Sequence, residues 1–419
     1  MRILVLGGTV FLGRQVAAEA LARGHELTLF TRGIHGADLF PEAERLRGDR
    51  TNDVSALRGR AWDAVIDTSG YKPEDVAASA EAVAGSGAHY VFVSSVNAYP
   101  AWPAEAVDED SPVWEGGPDE YGPDKVRCER AAEAALPGRV AVVRAGLIVG
   151  PNDGVFRLPW WVRRIAAGGD VPAPCDPERE LQIVDARDLA AWMLDLAERR
   201  GAGVFNGTGP AGMTTMAELL GAAVDATGSD AQLRWIPERA LRAAGVEPWT
   251  ELPLWAPEDE MAGAWLTGTE RARQAGLRCR PAAEGSVRER ARAMGRRRQT
   301  SSPSAGRRSC LRGTPRTWWP DARLRWVSEL GLRAAGVEPW TELPLWAPED
   351  EMAGAWLTGT ERAQAAGLRC RPVGDTVADV AAWLRDGGEA ELSDWGSHAR
   401  PAPMSAEREA ELLALAEVE

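Results

Sequence analysis

Arg2-Ile3-Leu4-Val5-Leu6-Gly7-Gly8-Thr9-Val10-Phe11-Leu12-Gly13 decides the fold of this chain. The apolar run Ile3–Leu6 has the length and burial signature of a core strand, and helical spacing begins at Leu12 and continues to Ala22. A strand that passes through glycines into a helix brings backbone N–H groups and the positive end of the helix dipole to one point, where a pyrophosphate can be held. Val10 stands where such turns commonly carry glycine, and a tight turn without a ligand is the plainer reading of these glycines alone.

Outward from this unit the pattern repeats. Further strands are predicted near Glu26–Thr31, Ala64–Thr68, Tyr90–Ser94 and Val140–Arg144, with helices near Pro73–Gly85 and Lys125–Ala135. Alternating strand and helix predicts an α/β fold, a doubly wound parallel sheet over residues 1–150. Beyond Gly150 the chain becomes irregular and rich in Trp and Pro, as suits a smaller C-terminal substrate domain over 151–281, with 182–206 returning to the first domain.

The 48 Lys and Arg against 62 Asp and Glu give a net charge of −14, which opposes a nucleic-acid or anionic-membrane surface. An apolar run so close to Met1 leaves no room for a secretory signal, and no stretch reaches the roughly 18 apolar residues of a membrane span, so a cytoplasmic protein is expected. The five cysteines form no CxxC pair and no Cys/His cluster, and neither disulfides nor a metal site is expected.

Residues 230–281 recur at 321–372 with 45 of 52 positions identical. Two copies are too few for a solenoid, so this is a tandem duplication within a larger domain. The spacer 282–320 holds ten Arg against two Glu and reads as a disordered Arg/Ser-rich insertion, a nucleic-acid-binding arm being the sharper alternative. Residues 373–419 supply a C-terminal helix and an acidic tail. One fold has one slot for the repeated segment, and the sequence leaves the choice between the copies even.

Two further features carry chemistry. The second strand ends in Thr31-Arg32, where an acid would hold the ribose hydroxyls; a guanidinium there suits a 2′-phosphate and favours NADP over NAD, a solvent-exposed arginine being the lesser alternative. Ser95 is followed by Tyr121 and Lys125, and at i and i+4 the last two share one helix face, so the ammonium can stabilise a phenolate. An unperturbed tyrosine titrates near pH ~10, and only nearby positive charge makes it a base at neutral pH. Pro123 fits if these residues form a first helical turn.

Taken together, these residues resemble the extended short-chain dehydrogenase/reductase superfamily, the NAD(P)-dependent epimerase/dehydratase group. Asp108-Glu109-Asp110-Ser111-Pro112, Arg144-Ala145-Gly146-Leu147-Ile148-Val149-Gly150-Pro151-Asn152-Asp153 and Gln182-Ile183-Val184-Asp185-Ala186-Arg187-Asp188-Leu189-Ala190 extend the resemblance. It implies a Rossmann sheet, with Tyr121 as general acid/base, Lys125 on the nicotinamide ribose, and Ser95 hydrogen-bonded to the reacting oxygen. It places Gly7, Thr9, Phe11, Leu12 and Gly13 at the phosphates, Asp49 and Arg50 near the adenine, and Thr68, Ser69 and Gly70 beside the ribose. Asp185, Arg187 and Asp188 read as a structural link between the domains.

The resemblance implies hydride transfer at a carbinol or carbonyl carbon of a small or nucleotide-linked, sugar-like substrate, with NADP preferred and NAD accepted. Dehydratases of the group carry an Asp-Glu pair directly after the serine position, and Val96-Asn97 stands there, which disfavours dehydration. A homodimer through helices beside Tyr121 accords with the group, and neither nucleic acid nor membrane is an expected partner. The rival reading is a non-catalytic family member, either an NAD(P)-binding redox sensor or an RNA-binding or structural protein. Trp160 and Trp161, ahead of Arg163-Arg164, read either as the substrate entrance or, more plainly, as packing under the lid.

Overall fold

The computed structural model describes residues 1–100, 107–117, 120–174, 177–236, 359–388 and 405–415, together with positions 240, 241, 244, 246, 252, 324 and 325. Its strands are β1 (Arg2–Leu6), β2 (Glu26–Thr31), β3 (Glu44–Arg47), β4 (Ala64–Asp67), β5 (His89–Ser95), β6 (Val140–Ala145), β7 (Leu147–Val149), β8 (Asp170–Pro174), β9 (Glu180–Leu181), β10 (Ile183–Asp185), β11 (Gly203–Gly207), β12 (Thr214–Thr215), β13 (Gln232–Ile236) and β14 (Leu324–Arg325). The helices used below are α1 (Phe11–Ala22), α2 (Pro73–Ala84), α3 (Tyr121–Ala135), α4 (Arg157–Ala166), α5 (Ala186–Arg199), α6 (Met216–Thr227), α7 (Glu361–Ala365), α8 (Val373–Arg385) and α9 (Ala406–Leu415).

Seven strands form one sheet in the order β11-β6-β5-β4-β1-β2-β3, with every pair parallel. The central strands are continuous apolar runs because both their faces are covered: all of β4 and β5 is buried. On one face Val16, Ala17 and Ala20 of α1 meet Leu189, Trp192 and Met193 of α5. On the other, Val76, Ala80 and Val83 of α2 meet Cys128 and Ala132 of α3. Each buried Val, Leu or Met among them contributes roughly 1.5–3 kcal/mol relative to an exposed one, and each Ala roughly 0.8 kcal/mol.

The chain winds outward from β1 in both directions, through β2 and β3 on one side and β4, β5 and β6 on the other. At that reversal the connections part above the C-terminal strand ends, and a crevice opens there.

A further apolar cluster lies beside the sheet, to which α4, α6 and α8 contribute Trp161, Leu219 and Val377. Helix α6 starts on a capping box between Thr215 and Glu218 and stops at Gly228 in the left-handed region. Trp160 and Trp161 are both buried in this cluster and meet edge to face at 4.9 Å, so they pack rather than line an entrance.

The two repeat copies both contribute. Strand β13, from the first copy, pairs in parallel with β8, and β14, from the second, pairs with β13. Helix α7 and the turn after it, from the second copy, bury Ala363 and Leu368 against the α5 face of the sheet, and the Trp192 indole donates to Ala366 O at 2.9 Å. The Arg/Ser-rich stretch 282–320, and with it the expected insertion, lies outside the described residues. Among the described residues no helix is long and apolar enough to cross a membrane.

Candidate functional site

At the C-terminal strand ends lies a cavity of about 660 Å³. Gly7, Thr9, Phe11, Leu12, Gly13, Arg32, Asp49, Arg50, Thr68, Ser69, Ser95, Tyr121 and Lys125 all line it. Thirteen positions spread over 119 residues of sequence are thus brought to one wall by the parallel sheet, because every parallel strand delivers its following loop to the same edge.

The first turn is shaped by its glycines. Gly7 has φ +105°, and a Cβ at Gly13 would lie 2.7 Å from the Gly8 nitrogen. Only backbone fits here, so the start of α1 can approach a pyrophosphate closely. The residues present fit a dinucleotide at this end of the cavity.

Arg32 follows β2 and lines the cavity, and its charge helps hold the Asp49 carboxyl below its usual range, after the stronger hydrogen bonds from the Thr51 N–H and hydroxyl. Arg50 lines the cavity beside Asp49 with its charge already paired. It reaches the cavity wall, but its guanidinium is bidentate on the buried Asp67 at 2.7 and 2.9 Å and also donates to Ser69 Oγ at 3.2 Å and to Asp75 O at 3.3 Å. Its charge is engaged in holding the β4 turn rather than directed at an adenine. Burial alone would raise the Asp67 carboxyl, but Arg50 outweighs it and keeps the group ionised.

Gly70 acts from behind the wall, between the lining residues Ser69 and Tyr71. It is absent from the lining, and its carbonyl accepts from Lys125 Nζ at 2.7 Å. A Cβ there would meet the Phe92 ring at 2.6 Å, so glycine serves close packing under the lysine.

Tyr121 is the first residue of α3, and Pro123 falls in the same turn, where the missing N–H costs no helical hydrogen bond. Tyr121 is 38% exposed and lines the cavity, and its hydroxyl is hydrogen-bonded to Ser95. The Ser95 hydroxyl in turn accepts from the Asn97 N–H at 3.1 Å, which orients it. Burial of the phenol pushes its pKa up, while Ser95 and the charge of Arg157 pull it down.

Lys125 sits one turn further along, 3% exposed, donating to Gly70 O and, at 3.0 Å, to Val93 O. Its ammonium lies 4.7 Å from the Tyr71 ring centre and 5.7 Å from that of Tyr121. Burial lowers its pKa to about 8. The expected i, i+4 pairing on one face is present, with the ammonium set behind the phenol ring and fixed by backbone carbonyls.

Sequence reasoning missed Arg157 and Tyr71. Arg157 opens α4 and lines the cavity beside Tyr121. No local motif flags it, since it follows an irregular stretch in which Asn152 and Phe156 adopt φ +69° and +65°. Asp185, Arg187 and Asp188 are absent from the lining: Asp185 caps α5 and accepts from Thr376 at 2.7 Å, and Asp188 pairs with Arg371 at 2.6 Å. They fasten α5 to the segment leading into α8.

Comparison with known proteins places these features. The profile described as the NAD dependent epimerase/dehydratase family matches residues 3–206. The epimerase family protein SDR39U1 of Bos taurus is 31% identical over 55% of this chain and 82% of its own length. The dTDP-6-deoxy-L-talose 4-dehydrogenase (NAD(P)(+)) of Kitasatospora kifunensis is 29% identical over 59% of this chain and 95% of its own. The chloroplast stem-loop binding protein of 41 kDa b of Arabidopsis thaliana is 27% identical over 50% of this chain and 58% of its own. With its parallel sheet, glycine turn and Ser95–Tyr121–Lys125 set, the chain belongs to the NAD-dependent epimerase/dehydratase family.

Proposed function

We propose that this chain is an oxidoreductase or epimerase that binds NADP in preference to NAD and acts at a carbinol or carbonyl carbon. The observation that carries the reading is the Tyr121–Ser95 hydrogen bond at the wall of the cavity that also holds the glycine turn. When bound, the nicotinamide supplies or accepts the hydride. Tyr121 then gives or takes the proton at the substrate oxygen, and Ser95 donates a hydrogen bond to that oxygen. Lys125, behind the ring, adds positive charge that favours the phenolate. The cofactor preference rests on Arg32 at the end of β2, where no acid stands to hold a free 2′-hydroxyl.

The position after Ser95 argues for the substrate chemistry. Val96 is buried and Asn97 lies in the wall, so the second acid and base that elimination of water requires are missing there. Reduction, oxidation and epimerisation remain, in keeping with the Kitasatospora relative, named a sugar-nucleotide 4-dehydrogenase. The stem-loop binding relative favours a second reading, a non-catalytic nucleotide-binding protein, and the net charge of −14 opposes its RNA-binding form.

The test is NADPH fluorescence on the purified protein followed by turnover across keto sugars and ketones. Saturable NADPH binding with turnover supports the enzyme, binding without turnover supports the second reading, and absence of binding refutes both.

A further inference from the structure

Resting on the role given to Lys125 above, we infer that Tyr71 is a positioning residue of this site: its ring joins those of Phe92 and Tyr121 in an aromatic cage that keeps the Lys125 ammonium charged behind the phenol. The ammonium nitrogen lies 4.7 Å from the Tyr71 ring centre, 5.2 Å from that of Phe92 and 5.7 Å from that of Tyr121. All three distances fall inside the roughly 6 Å over which a ring face attracts a cation.

The cage replaces a missing partner. Lys125 is 3% exposed, and among the described residues no carboxylate forms an ion pair with it. The charges of Asp67 and Glu129 reach it, but each carboxylate is held by its own guanidinium, Arg50 at 2.7 Å and Arg144 at 2.9 Å, and Arg50 repels the ammonium. Cys128, on the same helix, stays a neutral thiol because burial pushes its pKa up to about 12. Two of the three ammonium donors go to the Gly70 and Val93 carbonyls, and the ring faces supply further attraction. Burial pulls the Lys125 pKa down to about 8, so a modest loss of that attraction discharges the group near neutral pH.

The segment carrying Tyr71 is fastened on both sides of the ring. Gly70, one residue before it, accepts from Lys125 itself, and Lys72, one residue after it, pairs at 2.7 Å with Asp124, the neighbour of Lys125. The loop between β4 and α2 is thereby fixed to the first turn of α3. Burial, with the charges of Tyr121 and Asp67, pushes the Tyr71 phenol well above its usual range, so it meets the ammonium as a neutral ring.

The test uses the composition of the chain. Lys72 and Lys125 are its only lysines, so full-length protein grown with ε-13C-lysine gives two lysine signals, assigned with Lys72→Arg. Their titration by NMR reads the Lys125 midpoint without NADPH or substrate, and failure of the enzyme reading leaves it decisive. Tyr71→Leu should lower that midpoint by about one pH unit, whereas Tyr71→Phe, which keeps the ring, should stay within about 0.3 of the wild type. In the wild type the ε-methylene protons of Lys125 should also resonate upfield of those of Lys72, a ring-current signature that serves even if Tyr71→Leu does not fold. An unchanged or raised midpoint in Tyr71→Leu, an equal fall in Tyr71→Phe, or a Lys125 methylene at the position of Lys72 overturns the proposal.

Discussion

Gln364→Arg is expected to unseat the second repeat copy. Segments 268–280 and 359–371 differ at two positions, Arg273 against Gln364 and Gln274 against Ala365. In the fold Gln364 is 3% exposed and its amide donates to the Thr360 hydroxyl, whereas Ala365 faces solvent. An arginine at 364 loses that hydrogen bond, worth about 1 kcal/mol, and must either bury a guanidinium or push α7 off the sheet. Against the anchors that remain, buried Ala363 and Leu368 and the Trp192 bond to Ala366 O, the net cost is about 2–4 kcal/mol, or a Tm lowered by roughly 5–10 °C. Ala365→Gln, the other difference, should stay within about 0.5 kcal/mol. Deleting 268–358, which rejoins Thr267 to Gly359 and leaves 328 residues, removes only the two-residue strand β14 from the described elements and should preserve folding and the NADPH affinity. Calorimetry on the three variants decides. Equal effects of the two point changes, or a deletion that fails to fold, would refute the assignment of copy two to this slot.

Glu109, 9% exposed, is pushed up to about 7, mainly by burial, from an ordinary value near 4.5, so folding favours its protonated form. Its contribution is complete below pH ~4.5 and is lost as pH rises through about 7, and Glu109→Gln should flatten the decline of Tm between pH 5 and 8 seen by calorimetry in the wild type. Arg32→Ala should weaken NADPH binding about tenfold or more while leaving NADH nearly unchanged, measured by fluorescence titration; equal losses would remove the 2′-phosphate role. Arg144 is bidentate on Glu129 at 3.1 and 2.9 Å in the core, so Arg144→Met, which strands that carboxylate, should cost about 3–5 kcal/mol in urea unfolding.

The fold was legible where sequence and burial share a period. Strands β1 and β2 fall on their expected residues because their central positions, covered on both faces, are mainly apolar and β-branched or aromatic. Tyr121 and Lys125 were legible because a helix fixes their mutual placement from spacing alone. The roles of Arg50 and Gly70 were not, since each depends on a partner far along the chain, Asp67 for one and Lys125 for the other. Arg157 escaped for the same reason, being carried to the cavity by left-handed backbone that no propensity marks. The contributions of the two repeat copies were not legible, because their sequences are nearly identical and only the packing partners distinguish them.

The most direct measurement follows deuterium from 4-deuterated NADPH into product, in the wild type and in Tyr121→Phe. With a carbonyl substrate from the panel, the wild type should transfer the label to the carbinol carbon, and Tyr121→Phe should bind NADPH with unchanged affinity while transfer falls at least a hundredfold. Label transfer undiminished by removal of the phenolic hydroxyl would contradict the account.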